Sequence, residues 1–115
     1  MEKLEERTSK FSLRIIKLVG TLPGSSLGNV LGSQVLRSGT SVGANVEEAI
    51  GAISKREFAY KMSIAAKEAR ETHYWLRLIR DSGLVKAEFS LIQEALEIKK
   101  ILSKTVKTAK ERVSS

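Results

Sequence analysis

Cysteine is absent from this 115-residue chain, histidine and proline occur once each, and aromatic residues make up only 5%. Without cysteine there is no disulfide framework, thiolate metal site or thiol nucleophile, and one histidine excludes any site that needs two imidazoles. A long apolar run is missing too. The longest uncharged stretch, residues 18–36, approaches the ~20 residues of a membrane span, but it contains Pro23, Asn29, Gln34, three serines and four glycines, so no transmembrane helix is expected. The first residues, Met1-Glu2-Lys3-Leu4-Glu5-Glu6-Arg7, alternate charges where a signal peptide would place a basic start and an apolar core, which predicts a cytoplasmic location. What the chain has in excess is positive charge. Twenty Lys and Arg against thirteen Asp and Glu leave +7 and a pI near 9.9, a balance that attracts RNA, DNA or anionic lipid without choosing among them.

The length fits one compact domain over residues 1–115, and apolar spacing predicts four long helices at approximately 4–22, 27–50, 54–82 and 86–112. The third is the clearest: Phe58, Met62, Ala65, Ala69, Thr72, Leu76 and Ile79 recur at steps of four and three. Ser54 with Glu57 forms a capping box, and Gly83 stands where a left-handed residue can close the helix. Upstream, Leu4, Phe11, Ile15, Leu18 and Leu22 keep the spacing apart from a missed turn at Thr8. Pro23-Gly24-Ser25-Ser26 stops that helix and starts the next. The second seam is Leu31, Val35, Ser38, Val42, Asn45 and Ala49; the fourth is Leu91, Ala95, Ile98, Leu102, Ala109 and Val113. No stretch alternates like a strand. Long amphipathic helices joined by short turns predict an all-α, antiparallel up-down-up-down four-helix bundle.

Two features bear on self-association. Val85, Phe89, Ile92 and Leu96 form a second apolar set on the fourth helix, well away from the Leu91 to Val113 stripe. Either this face meets another copy of the chain, giving a homo-oligomer, or one stripe slants across obliquely crossing partners. Gly28, Gly32, Gly39 and Gly43 each lower helix propensity by about 1 kcal/mol relative to alanine, which fits either a tight helix contact or a weak, kinked helix.

No catalytic constellation emerges. Di-iron bundles need paired Glu-x-x-His motifs, and Arg70 stands at that spacing before His73. Glu68 and Glu71 read as a solvated ion-pair face beside Lys67, Arg70 and Arg77 rather than as an acid/base pair. Ser38 and Ser41 have no base placed to activate them. Gly39-Thr40-Ser41-Val42-Gly43 lacks the Lys-Ser/Thr and the preceding strand of a phosphate-binding loop. No enzyme activity, metal or cofactor is expected.

The basic residues are better organised. Arg70, His73, Tyr74 and Arg77 fall at i, i+3, i+4 and i+7, a stripe of cations around one aromatic ring that could grip phosphates while Tyr74 stacks on a base. On the last helix Lys99, Lys100, Lys104, Lys107 and Lys110 share about 140° of arc opposite the apolar stripe. Arg70, Tyr74, Arg77, Lys100, Lys104 and Lys107 are therefore the candidate nucleic-acid contacts, the alternative being a solvated outer face.

The run Gln34-Val35-Leu36-Arg37-Ser38-Gly39-Thr40-Ser41-Val42-Gly43-Ala44-Asn45-Val46-Glu47-Glu48-Ala49 resembles the signature of the four-helix-bundle proteins named after 23S rRNA intervening sequences, Q-x-x-R-S-x-x-S-x-x-x-N-x-x-E-G. Gln34, Arg37, Ser38, Ser41, Asn45 and Glu48 match, and Ala49 replaces the usual glycine. The third-helix run from Phe58 to Leu76, with Ile64-Ala65-Ala66-Lys67-Glu68-Ala69-Arg70-Glu71-Thr72-His73-Tyr74-Trp75 at its centre, is similar to a common subgroup of that family. The resemblance implies a cytoplasmic bacterial bundle that assembles as a ring-shaped homopentamer and has no established enzymatic activity. Within it, Ser38 and Asn45 are expected to be buried polar residues that fix helix register or subunit contacts. Arg37 is left open between an ion pair, with Glu48 or Glu71, and phosphate binding. The function expected is a non-enzymatic homo-oligomer that binds structured RNA or DNA through its basic surface; the alternative is a scaffold for a protein partner.

Overall fold

Ser25 and Ser54 each place a side-chain oxygen over the first turn of a helix, Ser25 accepting from the Gly28 N–H and Ser54 from the Glu57 N–H. In a computed structural model, which describes residues 1–86 and 89–114 but not the side chain of Phe89, these caps open the second and third of four helices. They are α1 (Leu4–Val19), α2 (Ser26–Ile50), α3 (Lys55–Ser82) and α4 (Phe89–Ser114), and no strand occurs among the described residues. The capping box at α3 is shifted by one residue, because the Glu57 carboxylate accepts from the N–H of Ile53 rather than of Ser54. Gly83 closes α3 with φ 74°, where a side chain would be strained.

The first helix stops short of the residue 22 expected for it. Gly20 caps it, and the Thr21 hydroxyl donates to the Leu18 carbonyl at 2.7 Å. Pro23 disfavours helical backbone at Leu22, so the chain turns there. At about 1.5 Å per residue, α1 rises about 24 Å against about 39 Å for α4. The molecule is a rod of 50 × 22 × 21 Å, in which α2 packs on α1 and α3, α3 packs on α4, and α1 also touches α4.

The seams mostly become the core. Phe11, Ile15, Val35, Val42, Met62, Ala65, Ala69, Leu76, Ile79, Leu91, Ala95, Ile98 and Leu102 are buried together. The missed turn at Thr8 is filled by Thr8 itself, fully buried because its hydroxyl donates back to the Leu4 carbonyl at 3.0 Å. Asn45 is only half-buried, and Val46 takes the core position beside it. Two further corrections concern apolar residues. Phe58, in register with the third seam, is half-buried because α1 does not extend over it. Ile92, from the second apolar set of the last helix, lies in the protomer's own core with 4% exposure. The two sets of α4 therefore merge into one slanted stripe at this level, with Val85 partly buried against the core and Leu96 half-buried.

The glycines of α2 serve close approach, and α2 runs unbroken through them. A methyl group at Gly39 would come within 2.9 Å of two Ile15 side-chain carbons, and one at Gly28 would run into the Pro23 carbonyl. Along the same seam Gly32 faces Val19, with Leu22 just beyond α1, and Gly43 faces Thr8, so contacts on α1 run in reverse chain order to those on α2.

Candidate functional site

Gln34, Arg37 and Ser38 of the α2 signature meet α3 through a polar network. Arg37 ion-pairs with Glu68 at 3.1 Å and with Glu71, and also donates to the Gln34 side-chain oxygen at 3.3 Å. Glu71 in turn accepts from the Trp75 indole N–H at 3.0 Å. Arg37 thus spends its fork on two carboxylates of the neighbouring helix, and Glu48, the other partner expected for it, lies exposed elsewhere on α2. The same pairing neutralises Glu68 and Glu71 as an acid/base pair. Beneath it the buried Ser38 and Thr72 hydroxyls hydrogen-bond at 2.9 Å, and Thr72 lies 2.7 Å from the Glu68 carbonyl. Ser41 and Asn45 bond their own helix, to the carbonyls of Arg37 and Ser41 respectively. This network locks α2 to α3; among the described residues no buried side-chain polar atom is left without a partner.

The cationic stripe of α3 lies on its outer side. Arg70, Tyr74 and Arg77 are exposed, and the Arg77 guanidinium sits 5.8 Å from the centre of the Tyr74 ring. Trp75 meets the same ring edge-on at 5.2 Å. Tyr74 is therefore held by Arg77 and Trp75 rather than standing alone as a stacking platform. Arg80 is drawn off to its neighbour Asp81 at 2.8 Å. His73 is half-buried between this stripe and α4: burial first, then Arg77, Lys99 and Arg80, push its pKa below the usual value, leaving it neutral at pH 7. Lys99 belongs to α4, so the basic stripes of α3 and α4 adjoin at His73. Lys100, Lys104 and Lys107 are exposed on α4; Lys104 also borders an open groove.

That groove, about 730 Å³, was not anticipated from the sequence. It is lined by Ile53, Phe58, Ile101 and Ala109 with Lys55 and Lys104, where α4 continues beyond the reach of α1. The signal that could have found it was Ile53, an apolar residue in a polar turn. Also unforeseen was the α1–α4 staple: Arg7 donates twice to Glu94, at 2.9 and 2.7 Å, and once to Glu97 at 3.0 Å. Of the four residues expected at a subunit interface, Ile92 is core, Val85 and Leu96 are half-buried, and the Phe89 side chain lies outside the described residues. The apolar side chains that do face outward on α1 and α2 include Leu13, Ile16 and Leu36. Among the described residues no three metal-binding side chains are gathered, and no helix is long and apolar enough to cross a membrane.

The sequence matches the family described as 23S rRNA-intervening sequence protein over residues 3–104. The chain belongs to this family. A crystal structure of a protein of unknown function from the S23 ribosomal protein family of Bacteroides thetaiotaomicron is similar to it, with 37% identity and a TM-score of 0.84, covering 91% of this chain and 99% of that one. No curated protein matches the sequence. Membership in the 23S rRNA-intervening sequence protein family accords with the α2 signature, whose Arg37 and Ser38 tie α2 to α3.

Proposed function

We propose that the chain acts without catalysis, as a homo-oligomeric, antiparallel up-down-up-down bundle that binds structured RNA or DNA across the adjoining basic faces of α3 and α4. The observation that carries this reading is the row of exposed cations, Arg70 and Arg77 on α3 and Lys100, Lys104 and Lys107 on α4, with Lys99 near enough to His73 to help keep it neutral. Such like-charge crowding is relieved when a polyanion arrives, and phosphate contacts from several cations on one rigid body add together. The family description, which refers to 23S rRNA, supports a role connected with RNA. Reverse-order contacts between α1 and α2 support the antiparallel arrangement, and the outward Leu13, Ile16 and Leu36 support association of protomers through the α1–α2 surface. A pentameric ring is the assembly that the family resemblance implies.

Fluorescence anisotropy with a structured RNA, a DNA duplex and a single strand, each at several salt concentrations, tests the reading. One preferred ligand that persists near physiological salt, and weakens by about tenfold when Arg70 and Arg77 are both changed to glutamate, is expected. Equal, steep loss with salt for all three would reduce the surface to bulk phosphate attraction. A monomer by light scattering would remove the oligomer.

A further inference from the structure

The open groove has a shape set by missing helix rather than by missing side chains. α3 and α4 run side by side along its floor, the α2–α3 turn closes one end, and α1, which starts at Leu4, contributes no residue to its lining. The difference in rise between α1 and α4, about 15 Å, leaves room for about ten residues of helix. Its walls are apolar. Ile53 is 96% exposed, and Phe58 and Ile101, both partly exposed, continue the surface toward Ala109. An isoleucine held almost wholly in water gains nothing from solvent, and a phosphate backbone would not cover it. The charged side chains that line the groove are basic. Lys55 and Lys104 border it, none of the described residues that line it is acidic, and the nearby Glu57 carboxylate is taken up by the Ile53 N–H.

We propose that this groove is a docking site for an amphipathic helix of a protein partner, one with an apolar stripe at i, i+3, i+4 and i+7 flanked by glutamate or aspartate. The stripe fills the slot left beyond α1, packing on Ile53, Phe58 and Ile101 as a fourth helix would. The acidic flanks pair with Lys55 and Lys104, which selects against basic helices more than it adds affinity. The surface differs from the one at His73 in chemistry, apolar with a cationic rim here and arginine, lysine and aromatic side chains around a neutral imidazole there, and Lys104 is the residue that the groove has in common with the basic face of α4.

The probe is a fluorescein-labelled synthetic helix of about 14 residues, four turns, with leucine along one stripe and glutamate on both flanks. Its control carries lysine in place of each glutamate. The acidic helix is expected to bind the unmodified protein at least about tenfold tighter than the control near physiological salt. Ile53→Asp and Lys55→Glu should each weaken it by about tenfold, and Lys55→Glu should narrow or reverse the preference between the two peptides. Both positions are exposed, and circular dichroism of the variants checks that the bundle is intact. Equal binding of the two peptides, or binding that survives both substitutions, overturns the proposal. So does a fall in molecular mass on Ile53→Asp in light scattering, which would make the occupant a second copy of this chain.

Discussion

The two ends of α4 differ in what stands across from them. Its first half lies against α1, where Arg7 holds Glu94 and Glu97 and where Leu91, Ile92, Ala95 and Ile98 are sealed into the core. Its second half runs on without α1, and there Ile101 is exposed, Thr105 half-buried, and Phe58 on α3 only partly covered. Both halves have the same amphipathic period. What separates them is the length of a different helix: the seam turned to α3 stays buried in both halves, as Leu102 and Ala109 show, while the flank at Ile101 is covered only as far as α1 reaches.

The sharpest way to break that contrast is to truncate one residue of the α3 seam in each region. Leu76 is fully buried, and Leu76→Ala should cost about 2–5 kcal/mol of unfolding free energy. Phe58→Ala removes a larger side chain from the same seam, yet should cost well under half as much, because part of its surface never leaves water. Urea denaturation measures both. Equal costs would mean that the groove is closed in solution.

This pair also shows where the sequence stops being informative. Period and capping residues made the four helices, most of the seams and the caps at Ser54 and Gly83 legible, because each is a local property of spacing or backbone. The tie between Arg37 and Glu71 was one of the open options, since helix order brings the outer edge of α2 toward α3. The burial of Ile92 and the half-exposure of Phe58 were not legible. Both depend on the tilt and reach of a helix distant in sequence, and spacing within one helix records neither. The joining of two basic stripes at His73 was hidden for the same reason: two helical faces can each be read, but not whether they adjoin.

A smaller effect is expected inside the α2–α3 network that Arg37 and Ser38 anchor. Thr72→Val keeps the shape but deprives the buried Ser38 hydroxyl of its 2.9 Å partner, at a cost of about 1–3 kcal/mol. Adding Ser38→Ala should restore part of the loss, since both members of the pair are then apolar. If the double variant were no better than the single one, the Ser38–Thr72 pair would not be what locks α2 to α3.

The closed end should also show in acid. Its hydrogen bond from Arg7 holds the Glu94 carboxyl below the usual value of 4.5. A depressed carboxylate contributes stability above its unfolded value and loses it as pH falls through the folded one. Glu94→Gln should therefore lower stability by about 1 kcal/mol at neutral pH, typical of a partly exposed charged pair, and flatten the decline below pH 4.5. No comparable flattening is expected from substitution at the open end, where the described residues lining the groove are apolar, hydroxyl-bearing or basic, Lys55 and Lys104 among them.

The smallest effect is a titration shift, and it separates the basic face from the apolar groove. His73 is pushed below its ordinary value of 6.5 by burial and by Arg77, Lys99 and Arg80. As pH falls through that ordinary value the unfolded chain takes up a proton that the folded chain does not, so the imidazole lowers stability on the acid side, and His73→Gln should remove that part of the decline. Bound phosphates would offset the three cations and favour the imidazolium, so the His73 pKa, followed by NMR, should rise when a structured RNA is added. The acidic helix docked near Ile53 should leave it unmoved. A rise with the peptide and none with RNA would exchange the roles of the two surfaces, because the charge that relaxes His73 must lie where the ligand lies.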